Sequence, residues 1–165
     1  MKFFLEKDIK EIISFLGKDT IEFENKRILI TGGRGFLGRY FTEVFKELNN
    51  SILFKKIDIV VSDNLITSGV LGDFELNNSS YEFYEHNVIE EFKYEKKIDF
   101  IIHAAGIASP YYYRKWPLET LEVATNGLKN SLKLAQFEQL YYLFRYQAND
   151  TFARPAHILR CDKAL

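Results

Sequence analysis

The residues Thr31-Gly32-Gly33-Arg34-Gly35-Phe36-Leu37-Gly38 carry the clearest chemistry in this sequence. Glycines at this spacing let a backbone turn tightly and approach a pyrophosphate, whose charge is met by amides at the start of a following helix. Gly38 would let that helix pack close to the preceding strand. The plain alternative is a tight turn with no ligand. Asp63 lies 25 residues beyond Gly38, near the offset of about 20 residues for an acid that binds a ribose. A carboxylate there accepts hydrogen bonds from both ribose hydroxyls and repels a 2′-phosphate, which favours NAD over NADP. Its plain alternative is that Asp63-Asn64 is only a polar turn.

Both readings need a strand before the loop and a helix after it. Arg27-Ile28-Leu29-Ile30-Thr31 is short, apolar and rich in branched residues, which predicts a strand buried on both faces. Phe36, Leu37, Tyr40, Phe41, Val44, Phe45 and Leu48 then form an apolar stripe of helical spacing that ends at Asn49-Asn50. Further strands are predicted at Ile57–Ser62, Tyr81–Tyr84 and Ile98–His103, with a fifth at Leu140–Phe144. A helix follows Pro117, from Leu118 to Ala135, and Gly127 inside it calls for a close approach to a strand or a cofactor. Leu5, Ile9, Ile12, Ile13 and Leu16, stopped by Gly17, predict an amphipathic helix ahead of the first strand. The fold class is α/β: a truncated Rossmann-like doubly wound parallel sheet, strand order 3-2-1-4 with the fifth beside the fourth, and an N-terminal helical extension. The organisation is an extension over 1–25, a partial nucleotide-binding domain over 26–135 and a divergent tail over 136–165.

Composition narrows the classes. The 165 residues are 47% apolar and 27% charged, which suits one globular domain. Lysine plus arginine number 22 against 23 acids, giving −1, so there is no electrostatic case for nucleic acid or a membrane surface. The single cysteine, Cys161, forms no internal disulfide and reads as an incidental thiol. His86 and His157 lack spaced Cys, His or Asp partners, so no metal site is expected. His103 at a strand end reads as a packed or hydrogen-bonded histidine. No apolar run approaches the roughly 18 residues of a membrane span, and charge at Lys2 and Glu6 interrupts any signal-peptide core. A cytoplasmic location is the expectation.

Thr31 to Gly38 resembles the extended short-chain dehydrogenase/reductase family of NAD-dependent nucleotide-sugar epimerases and dehydratases. Asp63-Asn64-Leu65-Ile66-Thr67 resembles its second-strand exit. His103-Ala104-Ala105-Gly106-Ile107-Ala108-Ser109-Pro110 and Tyr113, continued by Pro117, Thr120 and Gly127, resemble the UDP-glucuronate decarboxylase branch. The likeness spans about residues 26–135. It implies NAD as cofactor and a nucleotide-sugar as small-molecule substrate. It implies Gly32, Gly35, Phe36, Leu37 and Gly38 at the pyrophosphate, with Asp63 and Asn64 at the adenosine ribose. Asn87-Val88 falls where the family has Asp-Val beside adenine; an amide oxygen still accepts from the adenine amino group. Ala104, Ala105 and Gly106 would line the way to the nicotinamide, and Ser109 and Tyr113 would face substrate. Relatives are commonly homodimers through helices flanking the catalytic half.

The resemblance also exposes a gap. The family's chemistry uses Tyr-x-x-x-Lys on a helix beyond the fifth strand, where the lysine ammonium lowers the phenol pKa toward base function. Here that spacing occurs at Tyr111…Lys115, in the loop after the fourth strand between Pro110 and Pro117, where a full catalytic helix does not fit. No catalytic residue is therefore assigned. Trp116 either caps the sheet or contacts substrate. Residues through Ala135 hold 14 lysines and 4 arginines, whereas those from Gln136 hold 1 and 3. Family members are about twice this length. The expectation is an N-terminal part of such an enzyme with a replaced tail, inactive alone. The alternatives are a non-catalytic NAD-binding or redox-sensing module, or a decayed product.

Overall fold

The computed structural model describes residues 5–67, 79–138, 142–145 and 157–159. Strands β1 (Arg27–Thr31), β2 (Asp58–Asp63), β3 (Glu82–Glu85), β4 (Phe100–His103), β5 (Tyr142–Arg145) and β6 (His157–Leu159) form one sheet. Its order is β3-β2-β1-β4-β5-β6. β1 to β5 run parallel, and β6 pairs antiparallel with β5. The order 3-2-1-4-5 is the one predicted. The antiparallel β6 was not, because only Ile158 and Leu159 carry an apolar signal in that stretch.

The central strands are buried on both faces, and the period of two divides their side chains between two cores. Ile28, Ile30, Ile59, Val61, Phe100 and Ile102 join one core, beneath helix α2 (Phe36–Ser51). Leu29, Val60 and Ile101 join the other, with Ala135 from helix α5 (Leu128–Glu138). Each such aliphatic side chain contributes about 1.5–3 kcal/mol when fully buried.

Helix α1 (Glu6–Leu16) ends at Gly17, whose φ of +53° suits the residue that stops it. A 3₁₀ segment, Gly17–Phe23, continues to β1. Ile9 enters the first core, Phe23 packs on Phe45 and Phe100, and Tyr40 of α2 donates to Asp8 at 2.9 Å. The extension thus shares its core with the sheet. α2 continues past the Asn49-Asn50 stop to Ser51. Asn49 bonds both the N–H (2.7 Å) and the carbonyl (2.9 Å) of Ile57, fixing the entry to β2.

Two expectations need correction. Pro110–Lys115 is a six-residue helix, α3, rather than a loop. Pro110 occupies its first turn, where the missing N–H costs nothing, and Trp116 before Pro117 leaves helical geometry with ψ of +66°. The prolines bound the helix without preventing it. The long helix after Pro117 is interrupted: α4 (Pro117–Glu122) leads through a π segment, Val123–Gly127, into α5. A Cβ on Gly127 would lie 2.8 Å from Val88 Cγ2, so the wide turn seats a bare Cα against the β3–β4 connection. That is the close approach Gly127 called for. The fifth strand begins at Tyr142, and Leu140, Tyr141 and Cys161 lie outside the described residues.

Candidate functional site

The loop from β1 to α2 crosses the carboxyl end of the sheet, where parallel α/β sheets bind their ligands. Gly32 has φ of +66°, and a Cβ there would stand 2.5 Å from Ala105 Cα and 2.6 Å from its nitrogen. Only glycine fits, in conformation and in space. Gly38 is buried against Gly32 and Gly33, so α2 starts hard against the loop. Gly35 differs. Its φ of −67° suits any residue, and a Cβ would meet only the Gly32 carbonyl oxygen, at 3.2 Å. A side chain here needs no unusual φ but asks the Gly32 carbonyl to give by a few tenths of an ångström.

Gly35 caps α2, and Phe36, Leu37 and Gly38 form its first turn, which contains no acidic side chain. Their amides have no carbonyl partner within the helix, and the helix dipole adds positive character there. Phe36 is exposed and its ring packs on Tyr40 at 5.3 Å.

Asp63 ends β2 and is buried. Its Oδ2 accepts from the backbone N–H of Arg34 at 2.9 Å and its Oδ1 from that of Leu65 at 2.8 Å. Leu65 takes φ of +59°, a costly conformation for a bulky residue, and Asn64 Oδ1 accepts from Ile66 N–H at 3.2 Å. The carboxylate is both a turn-former and a clamp on the glycine loop. Its charge is felt by two arginines. Burial pushes the Arg34 guanidinium below its ordinary range, the Arg39 charge pushes it the same way, and Asp63 opposes both. Arg39 is likewise lowered by burial and supported by Asp63, and its Nε donates to the Arg34 carbonyl at 2.7 Å.

One cleft brings most of the expected residues together. Gly32 and Gly35 line it together with Asp63, Asn64, Val88, Ala104, Ala105 and Gly106. His86, Ile66, Thr67, Ile107 and Val123 also line it and were not foreseen. The signal for Ile66 and Thr67 was their place just after Asp63, and for Ile107 its place just after Gly106; the apolar Val123 carried none. Burial pushes His86 below the ordinary histidine range, with Glu90 opposing. Asn87 does not line the cleft: its Oδ1 accepts from Ile89 N–H (3.4 Å) and its carbonyl from Glu90 N–H (2.9 Å), closing its own turn. Ser109 and Tyr113 lie outside the lining too. Ser109 caps α3, its carbonyl accepting from the N–H groups of Tyr112 and Tyr113. Lys115 places its Nζ 4.5 Å from the Trp116 ring centre and 6.0 Å from that of Tyr111.

Behind the cleft a polar row crosses the sheet. Thr31 is in register with Ser62 and with His103. His103 Nδ1 stands 3.0 Å from Thr31 Oγ1 and 3.1 Å from Ser131 Oγ. Ser131 gives its one proton to the Gly127 carbonyl, so it is satisfied when Nδ1 bears the ring proton. His103 is the packed, hydrogen-bonded histidine its position predicted, tying α5 to β1 and β4.

The sequence profile of the NAD dependent epimerase/dehydratase family matches residues 28–145, most of the chain. This chain belongs to the NAD-dependent epimerase/dehydratase family. The match reaches the end of β5, beyond the stretch that the motifs carried. UDP-glucuronic acid decarboxylase 1 of Danio rerio is 34% identical over 116 residues, covering 70% of this chain and 26% of that protein. The Thermotoga maritima UDP-glucose 4-epimerase solved with UDP-glucose shares 20% identity at a TM-score of 0.54, covering 81% of this chain and 45% of that one. The Bordetella bronchiseptica enzyme WbmF solved with NAD+ shares 19% at 0.54, covering 79% and 41%. These structures share the Rossmann-like fold. The chain spans about a quarter to a third of the length of the curated relatives it matches. NAD is the cofactor of this epimerase/dehydratase family, and the cleft fits it: Gly32 and Gly35 in its wall, an acid-free helix start and a strand-end carboxylate. No helix among the described residues is long and apolar enough to cross a membrane.

Proposed function

We propose that these 165 residues are the NAD-binding part of a nucleotide-sugar enzyme akin to the UDP-glucuronate decarboxylases, and that alone they bind NAD without turnover. The observation that carries the reading is Gly35, which lines the cleft at the start of α2 with an ordinary φ and its Cβ position crowded only by the Gly32 carbonyl oxygen. Its bare Cα leaves room for a pyrophosphate against the first amides of α2. Gly32 and Gly38 shape the loop, and Phe36 and Leu37 contribute amides. Asp63, with Asn64 beside it, accepts from the adenosine ribose hydroxyls. Val88 contacts adenine, with Asn87 shaping the turn that presents it. Ala104, Ala105 and Gly106 give the dinucleotide passage toward the sugar side, where Ser109 and Tyr113 begin the substrate wall. Bound there, NAD supplies a hydride acceptor. The organisation fitting this reading is an extension over 1–25, the cofactor domain over 26–135 and a tail over 136–165.

Turnover needs a phenol lowered by a neighbouring ammonium. Tyr111 and Lys115 sit on the short α3, where Lys115 covers the Trp116 ring. The test is to incubate the chain with NAD and UDP-glucuronate, following bound NAD by equilibrium dialysis and released carbon dioxide. Binding without carbon dioxide is expected. Decarboxylation overturns the inactivity, and absence of bound NAD overturns the cofactor assignment.

A second reading, a non-catalytic NAD module, draws support from β6, which runs antiparallel where a doubly wound sheet would add a parallel strand. Translating the coding DNA past codon 136 in three frames separates the two. Ser-x-Glu-x-Tyr-Gly followed by Tyr-x-x-x-Lys in a shifted frame supports the enzyme, and their absence supports the module.

A further inference from the structure

We infer that Asn130 is a positioning residue for the dinucleotide: from behind the cleft it holds the 86–90 turn, and with it the wall offered to the adenine. The inference rests on the cofactor reading above, and Asn130 does not itself line the cleft. Its Nδ2 donates to the Val88 carbonyl at 3.1 Å and to the Glu90 carbonyl at 3.0 Å. Two acceptors fix the amide's orientation, since only its nitrogen can donate, and both of its protons are used. Val88 is buried and lines the cleft, as does His86 at the start of the turn. Glu90 bears on His86 through both its charge and its backbone. The His86 N–H donates to the Asp63 carbonyl at 3.0 Å. The turn is therefore tied to β2 where it begins and to α5 where it ends.

The helix is shaped for that contact. The π segment puts Val123 in the cleft wall and Gly127, three residues before Asn130, against Val88. Residues three and four apart share a helix face, so Gly127, Asn130 and Ser131 meet Val88, the turn's carbonyls and His103 together. A Cβ at Gly127, 2.8 Å from Val88 Cγ2, would push the turn away from the amide. Base recognition needs this rigidity. Adenine and hypoxanthine are alike in size and differ along one hydrogen-bonding edge, where donor and acceptor change places. A turn of backbone amides and carbonyls tells them apart only while it is held still, because a misplaced polar group loses its bond.

Titration calorimetry with NAD and with nicotinamide hypoxanthine dinucleotide separates positioning from folding. The native chain is expected to prefer NAD by at least about tenfold. Asn130→Asp keeps the size of the side chain but turns acceptors toward two carbonyls. Asn130→Ala removes both donors while favouring α5, alanine being the better helix former. Each should weaken NAD at least about tenfold and the hypoxanthine dinucleotide less than about threefold, so the preference shrinks. A thermal melt checks that each variant is folded, and Asn130→Ala alone decides the matter if Asn130→Asp is not. A native chain that binds both dinucleotides alike overturns the inference while sparing the cofactor reading. Folded variants that lose both equally, or that keep native affinity for both, overturn it as well. So does unfolding of both variants, which makes Asn130 a structural residue only. Failure of the native chain to bind NAD overturns the cofactor reading and the inference with it.

Discussion

The backbone N–H of Arg34 donates to Asp63 Oδ2 over 2.9 Å, joining the glycine loop after β1 to the end of β2. One carboxylate therefore sets the loop's position and lines the cleft. Asp63→Asn should separate these roles. The amide turns a donor toward the Arg34 or the Leu65 N–H, loosening the loop by about 1–2 kcal/mol. With its charge gone and both arginines retained, NAD affinity should fall and the NADP-to-NAD affinity ratio should rise. Fluorescence titration with both dinucleotides checks this; an unchanged ratio would make Asp63 a turn residue only.

Two glycines of the same loop should fail differently. Gly32→Ala forces a left-handed φ on alanine and drives its Cβ into the Ala104-Ala105 backbone, at a cost of about 2–4 kcal/mol. Gly35→Val keeps an ordinary φ and should fold with at most a modest loss of stability, but lose at least about tenfold in NAD affinity. Urea melts alongside NAD titrations distinguish the two. A Gly35→Val chain with native affinity would remove Gly35 from the cofactor site.

The polar row behind the cleft gives a contrast in register. Thr31→Val withdraws one of the hydroxyls at His103 Nδ1 and should cost about 1 kcal/mol. Ser62 is fully buried and its Oγ has no hydrogen-bond partner among the described residues. Ser62→Ala should therefore be neutral or stabilising by up to about 1 kcal/mol. Equal destabilisation in the two variants would contradict this description of the row.

His86 supplies a pH dependence. Burial lowers its pKa in the native state, so as pH falls through the ordinary histidine range near about 6.5, the unfolded chain takes up a proton before the native one does. Stability should decline on acidification across that window, and His86→Phe should flatten the decline. Melting temperatures between about pH 8 and pH 5 measure it. An identical slope in His86→Phe would contradict a shifted native histidine.

The positions of β1, β2, β4 and α2 were legible because each is a buried apolar run or stripe with a single period, and five-strand order followed from their alternation. The residues of the cleft were legible where glycine, a strand-end acid or small residues mark them. The turn at Asn87 was not legible, since its side chain bonds its own backbone, a local bond that spacing does not reveal. α3 is hidden in the sequence because two bracketing prolines argue against a helix, whereas the first of them starts one. The two arginines that feel the Asp63 charge were invisible in the sequence: Arg34 and Arg39 approach only when the loop folds back on α2.

Titration of the purified 165-residue chain with NAD, run beside Gly35→Val, tests the central claim most directly. One NAD per chain is predicted, with a cooperative melt that rises as NAD is added, because a ligand of the native state must stabilise it. Both effects should vanish in Gly35→Val. A cooperative melt with no heat of binding and no shift at up to about 1 mM NAD would contradict the claim.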